Sequence, residues 1–157
     1  AKVLFSNHAV IYNMDGEKSF VFRIANARMN QIVEANVHVV LLISEKTKEG
    51  EVYKNLYDLK LERGSSPAFA ISWTIVHPID QDSPFKKYTM EQLTDGNAEI
   101  LVTVNGIDET FSQNVYSRHS YTPKEIVLEH KFVDMIKRTP HGKLIVDFDK
   151  IHHIEPL

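Results

Sequence analysis

The sequence predicts an all-β protein, an antiparallel β-sandwich with one or two short helices. Three observations lead to this fold class. Apolar residues recur mainly with a period of two, which is the spacing of one face of a strand. Glycine and proline turn signals separate these short runs, and segments with helical spacing are scarce. A chain with about ten short strands and little helix typically folds as two packed sheets.

Length and composition place the chain among folded proteins, with residues 1–157 as a single domain. The 157 residues are 43% hydrophobic and 25% charged, a balance typical of an apolar core under a polar surface. The net charge of −3, from 18 basic and 21 acidic residues, does not favour a nucleic-acid partner. The absence of cysteine excludes disulfides, thiolate metal sites and a cysteine nucleophile.

The sequence contains no candidate membrane-spanning helix. Its longest apolar run is residues 39–43, whereas a spanning helix needs about 20 apolar residues. The first residues lack the basic start and long apolar stretch of a signal peptide. Because the sequence does not begin with methionine, we expect it to be a fragment of a longer protein.

The clearest strand lies between Val33 and Ile43. Every odd position in this segment is apolar, whereas Glu34, Asn36 and His38 occupy even positions. A strand places the two sets on opposite faces, so the odd face is predicted to be core and the even face to be polar. The same period predicts further strands at residues 20–24, 69–75, 100–104 and 144–148.

Turn dipeptides separate the strand-like segments. Asp15-Gly16 and Asp95-Gly96 are two of them. Asn105-Gly106 lies between two strand-like segments, and we predict that it forms a hairpin loop.

Helix signals occur at two places. Thr89 and Gln92 have the spacing of a capping box, and they predict a short helix that Gly96 ends. Residues 122–125 predict one further helical turn, because Thr122 precedes a proline at the first helical position.

The sequence carries none of the common catalytic motifs, and we expect that the protein is not an enzyme. It has no nucleophile elbow, Walker A loop, dinucleotide-binding glycine pattern or H-E-x-x-H zinc motif. Four potential metal ligands cluster near the end of the sequence: Asp149, His152, His153 and Glu155. Because adjacent strand residues point to opposite faces, we interpret these four as surface residues. His77 and His119 are interpreted as structural hydrogen-bonding residues.

Glu34 is the unusual residue of the strand pattern. A carboxylate within a strongly apolar strand must be solvated, paired or functional. In a monomer it would occupy a solvent-facing position, because antiparallel sheets often have one wet face. The alternative is a charge that faces a cavity or a pore.

Five segments keep the order and spacing of a known family: residues 5–11 (FSNHAVI), 22–28 (FRIANAR), 32–35 (IVEA), 74–84 (TIVHPIDQDSP) and 117–132 (SRHSY, EI and HKF). Together they resemble the C-terminal cytoplasmic domain of inward-rectifier potassium channels. The His77-Pro78 pair in the fourth segment resembles the sequences of the bacterial branch of this family.

The resemblance implies an immunoglobulin-like β-sandwich that forms a homotetramer around an aqueous extension of the ion pathway. The expected function is a regulatory domain whose rearrangement is coupled to gating. Its partner would be the transmembrane pore domain of the same channel, which is absent from this chain because no T-x-G-Y-G filter occurs. The resemblance places the domain at the cytoplasmic face of the plasma (inner) membrane and implies a soluble fragment. It implies no cofactor, only potassium ions in transit.

The resemblance also assigns site residues. Glu34 and Glu109 match acidic positions that line the pathway, where they would attract potassium and multivalent cations. Some family members carry a further acidic pair along the pathway, and the matching positions in this chain are Ser65 and Ser66. Seven residues match the loop of the apical girdle: Thr110, Phe111, Ser112, Gln113, Asn114, Val115 and Tyr116.

Arg28 matches a basic family position that binds anionic phospholipid headgroups. We expect this binding to be weak, because Met29 replaces a frequent lysine and the main basic residues of the family lie upstream of this chain. Arg23 and Arg118 have two alternative roles, structural ion pairs or gating. A second overall hypothesis is a monomeric immunoglobulin-like protein-binding module, and a third is a histidine-dependent metal enzyme.

Overall fold

A computed structural model describes residues 2–28 and 30–157, and these residues form a β-sandwich. Two five-stranded sheets enclose the main core, and two small two-stranded sheets lie outside them. The predicted all-β sandwich with short helices is therefore confirmed. Among the described residues, no helix has the length and apolar character required to cross a membrane.

Sheet 1 contains the strands β1 (Val3–Phe5), β2 (Ala9–Met14), β3 (Glu17–Asn26), β7 (Ser72–Pro78) and β10 (Ile126–Leu128). Sheet 2 contains β4 (Ile32–Lys46), β5 (Val52–Asp58), β6 (Ser65–Phe69), β8 (Glu99–Asp108) and β9 (Gln113–Tyr121). The small sheets pair β11 (His130–Phe132) with β14 (Ile154–Pro156) and β12 (Ile136–Arg138) with β13 (Leu144–Val146).

Sheet 1 has one parallel strand pair. Asp15 and Gly16 both have positive φ, 53° and 81°. They form the turn that the sequence predicted, and this turn closes the β2–β3 hairpin. Strand β10, however, runs parallel to β2. The chain leaves β9 of sheet 2 through a 3₁₀ turn at Pro123–Glu125 and enters sheet 1 beside β2 in the same direction.

Sheet 2 is built on β4, which has 15 residues. One edge of β4 pairs first with β6 and then with β5, while the other edge pairs with β8. Its buried side chains meet those of β3, such as Phe20 and Phe22, in the space between the sheets. The long strand therefore aligns three neighbouring strands through its own hydrogen bonds.

Arg23 fixes the end of the chain to sheet 1. Its buried guanidinium donates from Nε to the carbonyl of Ile151 (3.0 Å) and from Nη2 to the carbonyl of Lys150, and it lies 4.7 Å from the centre of the Phe132 ring. Burial lowers the pKa of Arg23 to about 10, with a nearby aspartate acting in the opposite direction. Arg23 is thus a structural residue that binds main-chain carbonyls.

The short helix α1 (Met90–Asp95) forms where the sequence predicted it. The Thr89 hydroxyl accepts from the Gln92 amide (3.1 Å), and the Gln92 side chain accepts from the Thr89 amide (2.8 Å). These are the two bonds of a capping box. Leu93 is buried against the core, and Gly96 caps the helix end.

The predicted hairpin loop at Asn105-Gly106 is wrong, because β8 continues through both residues to Asp108. Gly106 instead lies against β4, which has a bulge at Glu34 with a φ of 51°. A Cβ atom on Gly106 would lie 2.5 Å from Cγ2 of Ile32. Glycine in a strand interior thus marks a close backbone approach at a bulge and not a turn.

The bulge also changes which side chains of β4 are buried. Ile32 is buried and Val33 only half-buried, the reverse of the alternation predicted from the sequence. From Ala35 onward the odd positions are buried as predicted. The predicted run at residues 69–75 is also divided, because β6 ends at Phe69 and β7 begins at Ser72.

Replacement of Gly106 by alanine tests the close approach. We expect Gly106→Ala to lower the free energy of unfolding by about 1–3 kcal/mol, the usual cost of overpacking. Gly64→Ala is the control, because its Cβ would have a nearest neighbour at 3.5 Å. Urea unfolding followed by circular dichroism measures both. Equal stabilities for the two variants would contradict the proposed contact.

Candidate functional site

The outer face of sheet 2, which turns away from the core, changes character along its length. We define it by the exposed or half-buried side chains Glu34, Asn36, His38, Val40, Leu42, Leu56 and Leu101. Its first part, on Glu34, Asn36 and His38, is polar and exposed. Its second part is apolar, since Leu42 pairs with Leu56 and Val40 pairs with Leu101 across the strands. No layer of the described chain covers this apolar part, and Leu56 is 59% exposed.

Glu34 lies at the bulge, and its side chain is exposed. The Asn36 amide donates from Nδ2 to the Glu34 carbonyl (3.1 Å), which supports the irregular backbone. Gly106 lies behind the bulge. The backbone at Glu34 is therefore supported by a side-chain hydrogen bond from Asn36 and by the close approach of β8 at Gly106.

Glu109 lies in the turn at residues 109–112, at the same end of sheet 2 as Glu34. The turn follows Asp108, which pairs with Ile32 of β4. The buried Asp108 carboxylate accepts from the amides of Thr110 (2.9 Å) and Phe111 (3.3 Å). Sequence reasoning missed Asp108, although an aspartate two residues before a turn residue is a known turn signal.

The seven residues predicted for the girdle loop are divided between a turn and a strand. Only Thr110, Phe111 and Ser112 belong to the turn, whereas Gln113, Asn114, Val115 and Tyr116 begin strand β9. The reason is that the β8–β9 ladder extends as far as the pair Asp108 and Gln113. Phe111 and Tyr116 are each 63% exposed, and Val115 packs against the core.

Ser65 and Ser66 lie directly beside the bulge, because β6 pairs Ser66 with Ala35 and Ser65 with Asn36. Arg63 donates from Nε to the Ser65 carbonyl and from Nη2 to the Ser66 hydroxyl, both at 3.1 Å. The neighbourhood of Glu34 thus contains hydroxyl groups and a guanidinium. A cation there would meet a weaker negative potential than a second acidic pair would give.

Arg28 is exposed in the connection between β3 and β4. This connection is held to the first residues of the chain, since the Ala27 amide donates to the Lys2 carbonyl (2.9 Å). Met29 lies outside the described residues. Arg118 is exposed on β9 opposite Thr103.

His77 and His119 have structural roles. Nδ1 of the buried His77 lies 2.6 Å from the Lys60 carbonyl, and Nε2 lies 2.7 Å from the Ser83 hydroxyl. Because a carbonyl only accepts, Nδ1 carries the proton and Nε2 accepts from Ser83. His119 differs from the prediction in its contacts, since its ring stacks on Phe5 (5.0 Å) and meets the edge of Tyr121 (4.7 Å).

The acidic and histidine side chains near the end of the chain have separate partners. Nδ1 of His152 accepts from the Asn7 amide (3.0 Å), and Glu155 lies 3.8 Å from the Lys131 ammonium. Asp149 belongs to a 3₁₀ helix, Phe148–His152. Within residues 2–28 and 30–157, no group of three or more acidic or histidine side chains has the arrangement of a metal site.

A match to a known protein family over nearly the whole chain identifies the class of this protein. Residues 3–157 match the family described as the inward rectifier potassium channel C-terminal domain, and the chain belongs to this family. The prediction of the family is thus confirmed. These relatives are channels and not enzymes.

Among individual relatives, the chain is 44% identical over 154 residues to the inward rectifier potassium channel Kirbac3.1 of Paramagnetospirillum magnetotacticum. The match covers 98% of this chain and 52% of that protein. The G protein-activated inward rectifier potassium channel 1 of Homo sapiens is 36% identical over 155 residues, covering 96% of this chain and 30% of that protein. The chain thus spans about half of the first relative and under a third of the second.

Acid is expected to destabilise the fold through the buried His77 and the half-buried His119 and His152. Burial lowers the pKa of His77, of His119 and of His152 below the ordinary value of 6.5. The unfolded chain then binds more protons than the folded one below about pH 6.5, so stability is full above that pH and falls as the pH falls. Each such proton contributes at most about 1.4 kcal/mol per pH unit.

Urea unfolding between pH 7.5 and pH 5 measures this slope. His77→Gln should reduce the slope, whereas His141→Gln, in an exposed turn, should leave it unchanged. An NMR titration of His77 with a midpoint at or above pH 6.5 would refute the assignment.

Proposed function

We propose that the chain is the cytoplasmic gating domain of a potassium channel and that four copies surround the ion pathway. The observation that carries this proposal is the divided outer face of sheet 2. Its polar part suits a water-filled pathway, and its apolar part suits burial against a neighbouring copy. Closed fourfold symmetry satisfies both requirements with one surface.

In this arrangement Glu34 and Glu109 each form a ring of four carboxylates around the axis. Such rings attract potassium and multivalent cations, because walls of one charge sign focus the field within a narrow passage. Both residues lie at the same end of sheet 2, so the rings would act on the same part of the pathway. Ser65, Ser66 and the Arg63 guanidinium beside the bulge favour modest rather than strong binding of multivalent cations.

The turn at Thr110–Ser112 and the first residues of β9, Gln113–Tyr116, would form the girdle that narrows the passage. The exposed rings of Phe111 and Tyr116 are available for this contact. Rigid-body movement of the four copies would widen or narrow the girdle and act on the gate. No cofactor is required for this function.

The partner of the tetramer would be the transmembrane pore domain of the same channel, with this domain at the cytoplasmic membrane face. Arg28 lies in a connection that is hydrogen-bonded to the first residues of the chain, where the pore domain would be attached. A guanidinium suits a phosphate through its forked donors, so Arg28 would contact anionic phospholipid headgroups. One arginine alone gives weak binding.

Light scattering tests the assembly. We expect the 18.0 kDa chain to reach a fourfold mass as its concentration rises. Leu56→Glu should prevent this assembly without unfolding the domain, because it places a charge in the apolar part of the outer face. Ile145→Glu is the matched control, since Ile145 is similarly exposed (51%) on the β12–β13 hairpin.

A strict monomer at every concentration, with the same result in the full-length channel, would sink the tetramer proposal. That outcome would favour the monomeric binding module, for which the unpaired edge of β5 offers a surface. If Ile145→Glu alone prevented assembly, the interface would lie near the β12–β13 hairpin and not on the outer face of sheet 2.

Single-channel recording of the full-length channel tests the acidic rings. Glu34→Gln combined with Glu109→Gln should lower the supply of cations from the cytoplasm, with a loss of outward conductance of about twofold at 20 mM salt. The loss should vanish near 1 M salt, where the screening length is only about 3 Å. Glu49→Gln, in the β4–β5 turn, should have no effect. A loss that persists at high salt would contradict a purely electrostatic role.

A further inference from the structure

A cleft lies between sheet 1 and helix α1, away from the outer face of sheet 2. Its volume is about 260 Å³. The apolar part of its wall comes from four regions of the chain: Ile11, Ile79, the segment with Phe85, Met90 and Leu93, and Leu128. Leu93 is 1% exposed and forms the floor with Ile11 and Phe85, which are also buried.

The cleft remains open because the chain changes direction after strand β10, so no further residues of that strand cover it. Strand β10 ends at Leu128, which pairs with Ile11. Glu129 then adopts a φ of 55° while its amide donates to the Ile11 carbonyl (2.9 Å). Leu128 consequently remains 47% exposed at the edge of the cleft. Helix α1 has only six residues and covers just one side.

Two ammonium groups flank the apolar wall. Lys18 comes from the start of β3, and Lys86 comes from the 3₁₀ turn at Pro84–Lys86. Both side chains are exposed, and within the described part of the chain neither is hydrogen-bonded or ion-paired. No carboxylate belongs to the wall, whose other polar groups are Tyr88 and Thr89. The cleft therefore combines an apolar interior with a positive rim.

We propose that this cleft binds an aliphatic monocarboxylate, a medium-chain fatty acid. The tail would lie on Ile11, Phe85 and Leu93, and the carboxylate would lie between the two lysines. A volume of about 260 Å³ accommodates about eight or nine heavy atoms, taking about 30 Å³ for each as for a water molecule in the liquid. Apolar walls with a few polar groups at the rim are typical of small-molecule sites.

The charge of the rim distinguishes this ligand class from its alternatives. A neutral alcohol of the same length would use the apolar wall but leave the ammonium groups unpaired. A cationic amphiphile would place a positive charge against two others. Of these three classes, the carboxylate satisfies both parts of the cleft. The proposal uses none of the residues assigned to the tetramer, so its failure and that of the proposed function are separate.

An NMR titration of the 157-residue chain with octanoate tests the site. We expect saturable shifts of the methyl signals of Leu93, Met90 and Ile79. Butanoate should bind at least tenfold more weakly, because each buried methylene contributes about fourfold in affinity. Octanol should bind about fivefold more weakly than octanoate, and octyltrimethylammonium should not bind. Equal affinity for all three octyl compounds, or shifts confined to the outer face of sheet 2, would overturn the proposal.

Variants separate the two parts of the cleft. Lys18→Gln with Lys86→Gln should weaken octanoate binding about fivefold, as expected for two exposed ion pairs. Lys137→Gln with Lys143→Gln removes the same charge from the β12–β13 hairpin and should change nothing. Leu128→Trp should block the cleft and abolish binding while the unfolding midpoint stays unchanged. If neither the double lysine variant of the rim nor Leu128→Trp changed the affinity for octanoate, the ligand would bind elsewhere and the proposal would be wrong.

Discussion

The close approach of β4 and β8 at Gly106 is the constraint on which the arrangement of sheet 2 depends. A side chain at this position would collide with Ile32, so the bulge at Glu34 and the glycine opposite it require each other. The bulge inverts the facing of Ile32 and Val33 while the rest of β4 keeps its alternation. One irregular residue thereby leaves a long regular strand able to pair with three partners.

The same irregularity determines the geometry of the candidate site. Glu34 is presented from a bulge rather than from the flat pleat, and the turn that carries Glu109 follows directly from the paired end of β8. Asp108 holds that turn by accepting two of its amides. The two acidic positions are therefore related through backbone hydrogen bonds, although 74 residues separate them in the sequence.

Local patterns predicted the elements that depend on local physics. The capping box of Thr89 and the turn at Asp15-Gly16 formed as expected, because their hydrogen bonds and dihedral angles involve only neighbouring residues. The prediction of a hairpin loop at Asn105-Gly106 was wrong, although this dipeptide often forms turns. Its pairing with β4, which is distant in the sequence, keeps both residues in strand β8. The alternation of apolar residues also did not predict the bulge at Glu34, because no residue type in the strand indicates a bulge there.

The candidate site was predicted from similarity and not from pattern. Alternation marked Glu34 as unusual, but nothing local related it to Glu109 or to Arg28. The sequence did not show where the turn after Asp108 ends, because the end of a ladder depends on the partner strand, here the pair of Asp108 and Gln113. Binding clefts such as the one below Leu128 arise from the angle between a helix and a sheet, and a linear sequence carries no direct signal of that angle.

The Arg23 contacts have a practical consequence for anyone who alters the ends of this chain. The guanidinium is buried, and the carbonyls that satisfy it belong to Lys150 and Ile151, only a few residues before the last one. Shortening the chain before this point would leave a charged group in an apolar setting without acceptors, which is costly. The segment Phe148–His152 thus belongs to the packed fold, since Ile151 is itself buried, whereas the exposed tip of the β12–β13 hairpin is the better place to attach a label.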